Sequence, residues 1–396
     1  MAGLVALVAA LAVGSRETIH AEWNRVDERR ADLMVEAGVQ RAIAEIQQAD
    51  TTHITQADTW ASLGKSGSVQ YTVGYDSFRI EIIDAGSLIN LNSADSDQLQ
   101  QLPLSQQQID SLMDWREPGT TSRGQGAKDD FYNALPTAYN AKLKPFDSVD
   151  ELLQVRGFTP ESIYKPPSSL SPLQSASRVG SSTPLCQLLT TDSLSADPNL
   201  AGQPKVNGNS VTSYQLIAFG VQPSIAQNVV QAQQNQFKTL GDVLNVAGMT
   251  KDAARAILNN VTMGQDQHRV GLINLNTANE TVLNSIPNLP SDAVSGILDH
   301  QSDGFQTLGE LVDVPGMDMT TLIKTVDRFC VGSRTFIVRV IGQAGSYQSA
   351  AEVAVTVGDD YQVTMTRKQP LAVRDAISLW NWADSPDSKE SIGVTP

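Results

Sequence analysis

A chain of 396 residues with 41% apolar content is long enough to bury large cores in two or three domains. Its 28 basic against 43 acidic residues give a net charge of −15, which repels phosphate backbones and anionic headgroups and disfavours nucleic acid. The two cysteines, Cys186 and Cys330, form one disulfide at most or stay isolated thiols, so a disulfide scaffold is excluded.

The chain opens on an uncharged run from Gly3 to Val13, whose large members are Leu4, Val5, Leu7, Val8, Leu11 and Val13. It continues without proline to about Gln48, with Ile19, Trp23, Val26, Leu33, Ala37 and Ile43 at helical spacing. Residues 1–48 therefore read as one long helix, apolar at its start and amphipathic beyond. At about 1.5 Å per residue the apolar run covers about 18 Å of a hydrocarbon core of about 30 Å. No basic stretch precedes it and no cleavage-site turn follows, which argues against a signal peptide. The expectation is that Met1 is not the natural start and that the upstream half of a membrane helix is missing.

Val69–Tyr75 and Phe78–Ile82 alternate with period two about Asp76-Ser77, a hairpin able to pack on the amphipathic part of the helix. From about residue 88 the period becomes helical and a repeat emerges. Phe146 to Gly157 returns as Phe237 to Gly248 and again as Phe305 to Gly316. Each copy places a hydroxyl (Ser148, Thr239, Thr307) three residues before an acid (Glu151, Asp242, Glu310), the spacing of a capping box. Each closes on a glycine able to take the left-handed conformation. Ile89-Asn-Leu-Asn-Ser-Ala94 also matches Ile273-Asn-Leu-Asn-Thr-Ala278. The first copy is set apart by an insertion from about Glu117 to Pro145.

Three repeats follow, at 88–164, 210–263 and 272–330, with a Pro/Ser-rich linker at 165–209. Thr335–Ile341, Ala350–Val357 and Tyr361–Thr366 then alternate as a meander, and Ser385 to Pro396 reads as disordered. The expected architecture is α+β: a long N-terminal helix packed on an antiparallel sheet (49–87 and 331–372), a large all-α insertion (88–330) and a C-terminal tail (373–396). Trp380 and Trp382 are expected to pack against the helical block.

Few residues suggest chemistry. His20, His53, His268 and His300 are scattered, and there is no Gly-x-Ser-x-Gly or Cys-x-x-Cys, which argues against an enzyme. Asp129 and Asp130, with Asp114 and Glu117 nearby, could gather round a cation; calcium tolerates irregular loops. The Asp-Asp pair could equally start a helix. The repeats resemble helix-hairpin-helix or SAM-like units, which elsewhere bind DNA backbone. Gly248, Lys251 and Arg255 would make the phosphate contacts, although Thr250 stands where the second hairpin glycine would lie.

The arrangement resembles the K-type minor pseudopilin of type II secretion systems, general secretion pathway protein K. The residues carrying the resemblance are Arg29 to Val39, the two Asn-Leu-Asn-Ser/Thr-Ala stretches, Asp114-Trp115-Arg116, Gly126 to Tyr132, Pro145-Phe146 and Val331 to Phe336. It implies a non-enzymatic filament-tip subunit that supports secretion of folded proteins across the outer membrane, assembled with the I- and J-type minor pseudopilins and the major pseudopilin. It also implies an inner-membrane location through the N-terminal helix, with the bulk in the periplasm, and calcium in the helical region. A membrane-tethered helix-hairpin-helix DNA-binding protein of the competence type is the alternative.

Overall fold

The computed structural model describes residues 2–167, 182–196, 199, 201–264 and 268–392, with side chains from residue 22 onward. The chain forms two compact units, one of Met1–Ala49, Thr59–Ile83 and Ile337–Pro396, the other of Asp50–Asp58 and Asp84–Phe336.

In the first unit a helix, Ala2–Ile46, packs on a six-stranded sheet. The first hairpin pairs Val69–Val73 with Asp76–Asp84, turning at Gly74-Tyr75 rather than at the expected Asp76-Ser77. The meander comprises Thr335–Ala344, Tyr347–Val357 and Val363–Leu371. The expected antiparallel sheet is mixed, because Ser388–Ser391 pairs in parallel with Val69–Thr72. Residues 385–392, expected to be disordered, thus contribute an edge strand; 393–396 lie outside the described residues.

The face the helix buries is not its most apolar one. Ala31, Val35, Val39, Ala42 and Ile46 are buried, whereas Trp23 and Leu33 are 62% and 61% exposed. Small residues decide this. A Cβ on Gly38 would come within 2.6 Å of Val340, and one on Gly342 within 2.3 Å of the Ala31 carbonyl oxygen. Helix and sheet approach too closely for tryptophan or leucine, so the larger side chains are left on the far side.

Successive strand residues point to opposite faces, and the other face of the sheet is covered by Val373–Trp380. Ile341 and Ala350 there form a core with Ala376, Trp380 and Trp382. Trp380 and Trp382 therefore pack on the sheet of their own unit. Trp382 Nε1 donates to Glu81 at 3.2 Å, and Arg79 lies 5.0 Å over the Trp382 ring.

The expected membrane helix requires correction. Among the described residues no helix is long and apolar enough to cross a membrane. The apolar run reaches only Val13 before Arg16 and Glu17. The inner-membrane location that rested on this helix falls with it. The side chains of Leu4, Val5, Leu7, Val8, Leu11 and Val13 lie outside the described residues.

The second unit is built from the three repeats. Each opens on a two-residue strand (Ile89–Asn90, Val206–Asn207, Ile273–Asn274) paired in parallel with a closing strand (Leu189–Thr190, Val261–Thr262, Phe329–Cys330). The first closing strand falls in the stretch read as a linker, of which residues 168–181, 197, 198 and 200 lie outside the described residues. Two residues after each opening strand's asparagine stands a second asparagine whose side chain clasps the backbone of the repeat's phenylalanine: Asn92 with Phe146, Asn209 with Phe237, Asn276 with Phe305. In each pair the side-chain amide donates to the phenylalanine carbonyl at 2.8 to 3.0 Å and the phenylalanine N–H donates back at 2.6 to 2.8 Å. The clasp aims each ring inward, and Phe146, Phe305 and the partly buried Phe237 join one apolar core.

The glycines closing the three motifs, Gly157, Gly248 and Gly316, take the expected left-handed conformation with φ of 88°, 83° and 79°, but in the turn two or three residues beyond the C-caps Val155, Asn245 and Val314 rather than at the expected C′ position. The capping boxes form at Thr239 and Thr307 but not at Ser148, whose hydroxyl makes no cap bond.

Two predictions follow from the burial of these groups. Asn276 is 1% exposed, so Asn276→Ala would leave a buried N–H and C=O without partners, at about 2–4 kcal/mol. The exposed Asn209 lets water replace the carboxamide, and Asn209→Ala is expected to cost about 1 kcal/mol. Urea unfolding of the two variants should show that order; equal losses would refute the clasp as the determinant.

Asp84 is 1% exposed and accepts from Thr277 Oγ1 at 2.6 Å, and from Asn274 Nδ2 and the Gly86 N–H at 2.8 Å. Burial raises its carboxyl above the ordinary range, against the opposing pull of hydrogen bonds from Ser333, Thr277, Gly86 and Asn274. A raised folded-state value means that its contribution is full below the unfolded pKa of about 3.9 and is lost as pH rises through the folded value. The difference in unfolding free energy between wild type and Asp84→Asn should therefore shrink with rising pH across that window. A difference flat with pH would contradict the assignment.

Candidate functional site

Two regions deserve comparison with the sequence expectations, one in each unit. In the first unit, Trp23, Val26 and Leu33 recur on one side of the helix at three- and seven-residue steps, opposite the buried face. Beside this stripe a groove of about 550 Å³ runs between the helix and the meander, lined among others by Arg29, Leu33, Ala351 and Pro370. Polar bridges fix its walls: Ser349 Oγ donates to Asp32 at 2.6 Å, and Lys368 pairs with Glu36. Further along, Arg30 joins helix to hairpin through Asp76 at 2.6 and 3.0 Å. An apolar stripe held on a rigid, braced helix is what a second helix needs to pack against.

In the second unit Asp114 and Glu117 share one arginine, while Asp129 and Asp130 open a separate short helix. Asp114 is fully buried on the helix Gln106–Arg116 and accepts from Arg123 twice, Nη1 at 2.8 Å and the backbone N–H at 2.9 Å. Glu117 takes the other guanidinium nitrogen at 2.5 Å. Asp129 accepts the Ala141 N–H at 2.8 Å and, with the exposed Asp130, opens the short helix Asp129–Tyr132. Among the described residues no three or more histidine, cysteine, aspartate or glutamate side chains gather as a metal site. Arg123 supplies the positive charge that Asp114 needs, and Lys128 Nζ donates to the Asp114 and Glu117 carbonyls at 2.6 Å. Cys186 and Cys330 form no disulfide.

The hairpin read as a phosphate-binding candidate is committed elsewhere. Arg255 pairs with Asp313 at 2.5 Å and Asp252 at 3.4 Å. Thr250 caps the helix Lys251–Asn260, Gly248 takes the left-handed turn, and Lys251 is exposed. One exposed lysine beside acid-paired arginine is a poor match to a phosphate backbone.

Sequence reasoning missed the second repeat's opening, Val206-Asn207-Gly208-Asn209, because Gly208 replaces the leucine of the other two. It also missed a latch. Arg116, Gln233 and Gln301 each donate to two carbonyls of their repeat's opening: Leu91 and Ala94, Gly208 and Val211, Leu275 and Ala278. The signal was there as a common position, four residues before the phenylalanine or, in the first repeat, one insertion before it, but the residue types differ.

Truncating Arg123 would leave the Asp114 carboxylate buried with only a backbone donor. Arg123→Ala is expected to cost about 2–3 kcal/mol, less than a wholly buried pair because the guanidinium is partly solvated. Asp114→Asn should restore part of that loss in the double variant, as read by urea unfolding; additive losses would show that the pair is not coupled.

Comparison with known proteins bears on both regions. Residues 89–167, the first repeat with its insertion, match the family model for type II secretion system protein K. The fold matches a chain in the crystal structure of the GspK-GspI-GspJ complex from the enterotoxigenic Escherichia coli type 2 secretion system. That match has a TM-score of 0.54 at 12% identity and covers 90% of this chain and 99% of the other. No curated protein sequence matches the chain.

Proposed function

We propose that this chain, which matches the type II secretion protein K family in its first repeat and in its fold, is a non-enzymatic minor pseudopilin. Its role is structural: a tip subunit of the secretion pseudopilus, assembled with I- and J-type minor pseudopilins and supporting passage of folded proteins across the outer membrane. The observation that carries this reading is the helix-on-sheet unit joined in sequence to the repeat block, an arrangement shared over 90% of the chain. Each repeat is read as a helix-hairpin-helix unit used for packing rather than for nucleic acid, in keeping with the net charge of −15.

The exposed stripe gives that assembly a physical basis. Trp23, Val26 and Leu33 place apolar surface where intramolecular packing does not use it, and burying it against partner helices would contribute about 25 cal/mol per Å². Double substitution Trp23→Asp with Leu33→Asp should weaken co-purification with the cognate I- and J-type subunits by at least about tenfold, equivalent to 1.4 kcal/mol. Because both side chains are exposed, the melting temperature should stay near wild type. Undiminished assembly by the double variant would reject the stripe as the interface, and absence of assembly by the wild-type chain would reject the function.

A further inference from the structure

The three repeats differ at one spot that their common skeleton makes comparable. Immediately before the latch residue, the first repeat has Trp115 and the third His300, and in both the ring reaches the acid three residues after the motif's hydroxyl. Trp115 Nε1 donates to Glu151 at 2.7 Å, and His300 Nε2 lies 3.2 Å from Glu310. The rings stand between the helix and the motif, leaving the Glu151 and Glu310 side chains 11% and 29% exposed, although a groove of about 560 Å³ still runs beside Trp115 and Glu151 in the first repeat. In the second repeat the equivalent residue is Ala232. No ring fills the space, Asp242 is exposed, and a groove of about 830 Å³ runs along it.

Two neighbouring substitutions widen the same groove. In the third repeat Gly296 lies so close to the Pro315 carbonyl oxygen that a Cβ would stand 2.8 Å from it. The second repeat has Asn228 there, donating to the Ala247 carbonyl at 3.0 Å and holding the walls apart. At the rim Gln236, with φ of 53°, replaces Gly304 of the third repeat, adding a carboxamide where glycine would be the relaxed choice.

The other two repeats also show what sits over such a groove. In the first, Lys142 of the insertion adds an ammonium to Glu151 at 2.7 Å, beside the Trp115 ring. In the third, Gln306 Nε2 lies 3.0 Å from His53 Nε2, so a separate segment of the unit covers that edge. Asp242 has its backbone donors from Lys238 and Thr239 at 2.8 and 3.0 Å, and the Lys238 ammonium at the groove favours its charged form, but neither a ring nor an ammonium is bonded to it.

We infer that the groove of the second repeat, at Ala232 and Asp242, is a docking site for a segment of a partner polypeptide that brings a ring N–H donor and a nearby lysine. The segment would supply in trans what Trp115 and Lys142 supply within the first repeat. The carboxamides of Gln231, Gln234 and Gln236 at the groove suit the peptide groups of such a segment. The inference does not depend on the secretion role.

The test uses the full chain and the capped tripeptides Trp-Gly-Lys and Lys-Gly-Trp, followed by saturation-transfer NMR. At least one should bind saturably at millimolar concentration, and its counterpart with phenylalanine for tryptophan should bind about tenfold more weakly for want of the charge-assisted hydrogen bond. Ala232→Trp rebuilds the ring within the chain, so it should abolish binding while the melting temperature holds or rises; Ala232→His serves where the larger ring prevents folding. Asp242→Asn, which keeps an acceptor oxygen for the cap, should weaken binding by a similar factor. No saturable binding by either peptide, or binding that survives both the Ala232 and the Asp242 changes, overturns the assignment.

Discussion

Each helical repeat depends on one asparagine clasp. The phenylalanine at the start of each motif stands where the chain leaves one helix and has not entered the next, so neither its N–H nor its C=O has a partner in regular structure. Inside a protein such groups must be satisfied. A carboxamide offers a donor and an acceptor in one plane, with the geometry of a peptide group. Asn92, Asn209 and Asn276 are each placed for this by a partner asparagine two residues earlier, whose Oδ1 accepts the clasping residue's N–H at 2.8 to 3.0 Å. With both ends of the connection pinned, by the latch on one side and the clasp on the other, its length becomes a free variable. Loop closure costs grow only slowly with length. That is why the first repeat can carry residues 117–145 between Arg116 and Phe146 while its skeleton matches the other two.

The first unit is governed by a different constraint, the distance between a helix and a sheet. Gly38 and Gly342 leave the backbones in near contact, and only small or slim side chains fit between them. This choice fixes the orientation of the helix about its axis. Once Ala31, Val35, Val39, Ala42 and Ile46 are inside, Trp23, Val26 and Leu33 have to be outside. Exposed apolar surface on a long helix therefore arises from a packing demand met elsewhere, and it is the feature that an assembly can use. On the opposite face of the sheet Arg339, bonded to Glu81 at 3.3 Å and Glu352 at 3.2 Å beneath Trp380, shows how a buried charge is kept in balance.

What could be read in the sequence followed from how each feature writes itself. Twelve-residue motifs with a phenylalanine, a capping pair and a closing glycine are legible because every position has a separate local reason. The meander was legible from its period-two alternation, although its last strand starts at Val363 rather than Tyr361. The helix face was misread because apolar spacing reports where burial is favourable, whereas close approach is decided by size. The second Asn-x-Asn was hidden by Gly208, and the latch by the use of arginine in one repeat and glutamine in two. Two-residue strands have no period to detect. For the acidic residues the sequence shows carboxylates near one another, but not that Arg123 folds back to pair with Asp114 and Glu117.

The repeats divide their labour at the point where the skeleton leaves them free. The family-model match falls on residues 89–167, the repeat whose connection has been enlarged. The insertion turns inward on its own repeat, with Tyr139 donating to the Gln154 carbonyl at 2.8 Å and Lys142 to Glu151 at 2.7 Å, so its growth supplies partners to its own repeat. The third repeat gains its partners by other means, through His300 and the segment bearing His53. Only the second keeps both its short connection and an alanine before the latch. An acid that meets a ring of its own chain in the first and third repeats, and keeps only its backbone partners in the second, marks divergence in use on a fold that did not need to change. The same economy holds at the first unit, where the surface left over from packing is the surface available for assembly.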